Sequence, residues 1–257
     1  MNVRIILRVL LLMAICVLAS CKTPAPLPVT ALLVTPRIIS EAPVYPRDLR
    51  GAQLFRIAPA ETDIHVLVYR GGTMANLGHN HVINSHSVNG FVWRSVQSDL
   101  CGFDIALPVN DLIVDDNDAR MAEGDEFPVN VPDTAKQGTR HNMLSETLLD
   151  AEHFPFIRLQ SANISGEIDS PRVVVHVTIK NQIHLYTLPV TISLASNSLR
   201  VRGEFQLRQT DFGIKPYSVA MGALQVQDEL NIKFDLRAAR VEPAPPPNVT
   251  SDDDLSK

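Results

Sequence analysis

His79 and His81 stand one residue apart in the run Gly78-His79-Asn80-His81. On an extended segment, residues two apart point to the same side. Two imidazoles so placed offer nitrogen donors to zinc, copper or a haem iron. His141 and His153 fall on or beside a helical stretch and are the candidates to complete such a set. The competing reading needs no ion. In it, His79 and His81 are polar groups near a rim, hydrogen-bonded to backbone or to Asp150 or Glu152, or Gly78-His79-Asn80 simply makes a turn. The spacing of these histidines is not a recognised metal pattern, so no metal is assigned. The set His79, His81, His141 and His153 is kept as the alternative. His65 and His176 lie in strand-like runs and read as satisfied wall residues.

Other chemistries find little support. No Gly-x-Ser-x-Gly turn occurs to present a serine nucleophile. Cys101 alternates with Phe103 and Ile105, which marks a buried and inert thiol. Asp115, Asp116 and Asp118 lack the Gly and Glu positions of a calcium loop. They read as charge at a helix N-terminus. Gly71-Gly72 is a turn signal and not a phosphate cradle. No catalytic residues are assigned, and an enzyme is not expected. The net charge of −5 and the absence of a basic patch exclude nucleic acid as a partner.

The N-terminus carries an address. Arg4 and Arg8 precede the apolar run Val9 to Val17, and Leu18-Ala19-Ser20-Cys21 follows. This layout is a secretory signal, and its last four residues resemble the bacterial lipobox. The resemblance implies cleavage after residue 20, acylation of Cys21 and a stable membrane anchor. The alternative is an ordinary cleaved signal that happens to contain Cys21. Lys22, in place of the Asp that retains lipoproteins in the inner membrane of enteric bacteria, points to the outer membrane facing the periplasm. Residues 21–50 are Pro-rich and residues 241–257 are Pro-rich and then acidic, so both read as linker or tail. That leaves 51–240 as one domain.

Within it the dominant pattern is strict alternation. Ile64, Val66 and Val68 face one way and His65, Leu67 and Tyr69 the other. Both faces are apolar, which suits a strand buried on one side and partly covered on the other. Similar runs cover 88–96, 101–107, 156–168, 173–179, 183–194, 199–207 and 225–236, with a tight polar break at Lys180-Asn181-Gln182. From Asp116 to Phe154 the spacing becomes helical, and two short helices are expected on either side of Pro128–Pro132, the second ending at Pro155. About eight antiparallel strands hide their edges most economically in a closed barrel, with a sandwich as the competing architecture. The fold class is therefore all-β with a short helical insert. A barrel of this size has room for side chains or one small ligand, and here its wall would be mainly aliphatic.

Three segments carry a resemblance to a known family. They are Leu77-Gly78-His79-Asn80-His81-Val82-Ile83, then Leu149 to Ile157, and then Gly203-Glu204-Phe205-Gln206-Leu207 with Thr210-Asp211-Phe212-Gly213-Ile214. In this order and spacing they resemble the YceI-like family of secreted bacterial proteins, over about residues 55–240. The resemblance implies an eight-stranded lipocalin-like barrel with a helical excursion, isoprenoid binding inside it and no enzymatic activity. It also suggests a homodimer.

The leading expectation is a membrane-anchored envelope lipoprotein that holds an isoprenoid or other long-chain amphiphile. Val201, Phe205 and Phe212 are the candidate lining residues. His79, His81, Arg140 and Asp211 are the candidates for the polar head group. No cofactor is expected beyond a bound lipid. The alternative is a metal- or haem-binding envelope protein built on the Gly-His-Asn-His segment, and a third reading is a filled barrel with no ligand.

Overall fold

The computed structural model describes residues 51–95 and 101–241, together with Pro43. The expected secretory signal, Cys21, most of the expected Pro-rich linker and nearly all of the expected tail lie outside the described residues. The strands are β1 (Gln53–Ile57), β2 (Asp63–Gly71), β3 (His81–Ser85), β4 (Asn89–Arg94), β5 (Cys101–Pro108), β6 (Ile113–Val114), β7 (Phe156–Gly166), β8 (Pro171–Ile179), β9 (Gln182–Leu194), β10 (Ser198–Arg208), β11 (Ser218–Val219) and β12 (Leu224–Arg240). Two α-helices, α1 (Asn117–Glu123) and α2 (Asp133–Leu144), lie between β6 and β7.

All pairings are antiparallel, and they close. From β4 the order runs through β5, β7, β8, β9, β10 and β12, and β12 then pairs with β1, which pairs with β4. This ring of eight strands is a barrel and rules out the sandwich. β1 and β2 follow one another along the same edge of β12, so they are one strand broken at the turn Pro59–Glu61. β4 and β3 repeat the break beside them, and β5 and β6 repeat it again at Val109–Asp111. The alternation in the sequence shows the strong half of each broken strand. β1, β3 and β6 are too short to announce themselves.

The inward face is the apolar set of each run. Ile64, Val66 and Val68 of β2 point inside, as do Val173, Val175 and Val177 of β8 and Ile232, Phe234 and Leu236 of β12. Gly203 falls at an inward position of β10 between Val201 and Phe205. A Cβ there would lie 2.7 Å from the Phe234 ring, so the glycine lets that ring lean across the strand. The β8–β9 hairpin turns on two residues, Lys180 and Asn181, both at positive φ. That is the tight turn whose twist suits an antiparallel pair.

The outward face of β2 is covered. His65, Leu67 and Tyr69 lie beneath α1, with Leu67, Val82, Ala119 and Phe127 forming a small second core. Asp116 starts α1 as its N-cap, accepting from Asp118 N at 3.0 Å and Ala119 N at 3.1 Å. α2 ends at Leu144, earlier than its expected stop at Pro155. Ser145 leaves the helix in an extended conformation and its Oγ donates to Asn142 O at 2.7 Å. The chain then turns back and delivers Leu148 and Leu149 to the barrel interior. Cys101, at the start of β5, is half-buried and not fully buried as the alternation suggests.

Candidate functional site

The barrel encloses a cavity of about 370 Å³. Its wall is Val, Ile and Leu with Phe103, Phe205, Phe212 and Phe234. α2 adds Thr139, Asn142 and Met143 to the boundary, so the insert closes part of one end. The few polar groups of the wall are His81, Asn84, Ser85, Thr139, Asn142, Gln209 and Tyr217. A concave, mainly apolar space with a few polar groups is the usual form of a small-molecule site.

Of the expected lining residues, Val201, Phe205, Phe212 and His81 are placed in this wall. The others are placed elsewhere. Arg140 clamps α2 to the β5–β6 connection, donating to Leu112 O at 3.1 Å and Asn110 O at 2.7 Å. Asp211 accepts from Tyr186 Oη and from Arg208, each at 2.9 Å. Burial and this bond push the Tyr186 hydroxyl up to about 12. The Tyr186 ring stacks on Phe212, so Asp211 braces the aromatic end of the wall without entering it. His141 is exposed on α2. His153 bonds its neighbour Asp150 at 2.8 Å, which raises its pKa, and it is largely exposed. Neither is brought to His79 and His81.

The group that does form beside the cavity is His79, His81 and Asp115. Strand pairing builds it. Val114 of β6 lies opposite Ile83 of β3, so the next residue, Asp115, falls beside Val82 and His81. Asp115 N donates to Val82 O at 2.8 Å, and Asp115 Oδ1 accepts from Val82 N at 3.0 Å. The residue takes φ 56, a left-handed conformation that Asp tolerates better than most. Asp115 Oδ2 is 2.7 Å from His81 Nδ1 and 3.7 Å from His79 Nε2. The two imidazole rings meet edge to face, 4.5 Å between centroids. Behind them lies Arg120 of α1, with no exposed surface. It pairs with Asp115 Oδ1 and donates to Asn80 O at 2.8 Å and Pro128 O at 2.7 Å. Asn80 fixes the bend from the other side. Its Oδ1 accepts from Arg70 N and its Nδ2 donates to Glu126 O, both at 3.1 Å. Gly72, at φ 90, lets the preceding loop lie against Ala223, where Met74 N donates to Ala223 O at 2.7 Å.

The electrostatics follow. Burial pushes the Asp115 carboxyl up, but hydrogen bonds from His81 and Val82 and the Arg120 charge outweigh it, holding the pKa below the usual carboxylate range. Burial, and then the neighbouring His81, lower the pKa of His79. The ion-free reading offered backbone, Asp150 or Glu152 as partners for His79 and His81, and the carboxylate the structure brings to them is Asp115. Asp115, expected with Asp116 and Asp118 as charge at the helix N-terminus, is separate from them: Asp116 caps α1 and Asp118 lies in its first turn. No local signal marks Asp115 as the partner of His81, because that role exists only where β6 meets β3.

Comparison with known proteins places the barrel. The model of the YceI-like domain matches residues 82–238, more than half of the chain. Burkholderia cenocepacia BcnA is similar in structure at 14% identity and a TM-score of 0.50, over 70% of this chain and 98% of that one. The Campylobacter jejuni YCEI protein is similar at 9% identity and a TM-score of 0.45, over 61% of this chain and 82% of that one. No curated protein matches the chain. The closed antiparallel barrel, its interior cavity and the family match agree: this chain belongs to the YceI-like family of lipocalin-like barrels, whose members are binding proteins.

Proposed function

We propose that the protein is an envelope carrier whose barrel holds one long-chain amphiphile, an isoprenoid or a lipid of similar build, and that it catalyses no reaction. One observation carries this reading. The interior space is walled almost wholly by aliphatic and aromatic side chains, while its polar groups are few. A hydrocarbon chain entering it leaves water at about 0.8 kcal/mol per buried methylene, so ten such carbons gain roughly 8 kcal/mol before association costs. A flat, heavily polar ligand would strand its hydrogen-bonding groups against Val and Ile, at a cost of about 1–3 kcal/mol each. Thr139, Asn142, Gln209, Tyr217 and His81 are the groups available to a head group. Acylation of Cys21 would tether the barrel near the membrane that supplies the ligand. Residues 22–50 would be the leash, and the outer membrane the anchoring surface.

The test is displacement of a fluorescent long-chain fatty acid from the purified protein. Saturable uptake of a single probe, displaced by isoprenoid alcohols and not by short-chain acids, supports the carrier. No uptake of any chain by a delipidated, folded protein contradicts it.

A further inference from the structure

We propose that His79, His81 and Asp115 form a binding site for a single divalent transition-metal ion of the zinc class, set beside the lipid cavity. Each of the three residues offers one ligand atom, and these atoms lie within 4.8 Å of one another. They come from two places in the chain, the β3 start and the β6 end, and backbone pairing of those strands holds them in register. Among the described residues, His79 Nε2 is buried and has no hydrogen-bond partner. Buried polar atoms are seldom left so, because the desolvation cost is not recovered. Here the orphan nitrogen lies 3.7 Å from Asp115 Oδ2, a gap that an ion liganded by both atoms would bridge.

The donor set indicates the ion. Two imidazoles and one carboxylate suit zinc, iron or copper, whereas calcium and magnesium prefer shells of oxygen. Arg120 and the Val82 amide occupy Asp115 Oδ1, so the carboxylate donor is Oδ2, whose present partner is His81 Nδ1 at 2.7 Å, a bond the ion would replace. The carboxylate is thereby fixed in direction, as outer-shell partners fix metal ligands elsewhere. Three protein ligands leave one position of a tetrahedral ion open. His81 belongs to the cavity wall, so that position lies close to the enclosed space.

The experiment is calorimetric titration of the full chain, freed of metal by chelator, with zinc chloride. Cobalt replaces zinc in a second titration followed by visible absorbance. Uptake of a single zinc ion per chain is expected, with cobalt d–d bands of a four-coordinate site and no response to magnesium. His79→Ala should weaken zinc by at least the ~100-fold that loss of an outer-shell partner can cost. Because His79 Nε2 makes no hydrogen bond, the metal-free variant should lose only the edge-to-face contact with His81 and remain folded. His79→Gln, which keeps a polar group but ligates poorly, should behave alike, and His141→Ala and His153→Ala should bind normally. Absence of saturable zinc uptake overturns the proposal, as do unchanged affinity in both folded His79 variants or equal binding of magnesium.

Discussion

Val201→Asp places a carboxyl on the inward face of β10, between the pairing partners Ile192 of β9 and Leu236 of β12. All three side chains belong to the cavity wall. In the ligand-free protein the new carboxylate can remain hydrated. With a hydrocarbon chain against it, the water leaves and the only neighbours are apolar. Full burial of a carboxyl raises its pKa by about 3–5 units, so at neutral pH the group takes up a proton instead, and about 3 units of protonation work at 1.36 kcal/mol per unit cost roughly 4 kcal/mol. Amphiphile affinity should therefore fall about 10³-fold. At pH about 5 only about one unit of protonation work remains, so much of the loss should return. Val201→Thr keeps the shape and adds one unpartnered hydroxyl, for a smaller loss of about 1–3 kcal/mol. Displacement of a fluorescent fatty acid measures all of these, with circular dichroism and thermal melting to check the fold. A folded Val201→Asp protein binding within about tenfold of the parent at neutral pH would refute the cavity reading.

Three further predictions concern the layer that positions the histidines. Asp116→Ala removes the cap of α1 and should cost about 0.5–2 kcal/mol in chemical denaturation; an unchanged midpoint would mean that α1 contributes nothing to the outer wall. Arg120→Leu strips the Asp115 carboxylate of its buried partner and should cost about 3–5 kcal/mol, read by the same denaturation. Glu123 bonds His65 at 2.7 Å and pairs with Lys233 across to β12. Burial pushes its carboxyl up, but those two partners hold it below the usual range. A carboxyl with a depressed pKa contributes stability above its unfolded value of about 4.3 and loses it as the pH falls through the lower folded value. Glu123→Gln should thus be about 1–3 kcal/mol less stable at neutral pH, with the gap closing below about pH 4; a gap independent of pH would contradict the assignment.

The barrel was legible because its long strands obey a period of two, and period decides which face is buried. The runs ending in Ile179 and Leu236 name their inward residues without help. The two helices and the tight turn at Lys180-Asn181 were equally local. The broken strands were not, since Ile113-Val114 is a strand only because Ile83 and Asn84 lie beside it. The site residues divide the same way. Val201 and Phe205 follow from alternation, whereas Phe212 lies in the turn Gln209–Phe212 beyond β10. Arg140 and Asp211, expected as polar residues near the mouth, each instead brace a neighbouring loop or ring. Asp115 and Arg120 were invisible because their roles depend on β6 meeting β3 and on α1 folding over both. A buried arginine in a helix of one or two turns leaves no periodic trace.

The central claim is that the barrel carries a hydrocarbon chain, and native mass spectrometry tests it most directly. A Cys21→Ser form exported to a bacterial periplasm carries no covalent lipid, so any added mass is bound ligand. The account predicts an adduct of several hundred daltons that passes into organic solvent and disappears in the Val201→Asp protein. A bare protein mass from a host that makes long-chain isoprenoids, or an adduct equally abundant in folded Val201→Asp, would contradict it.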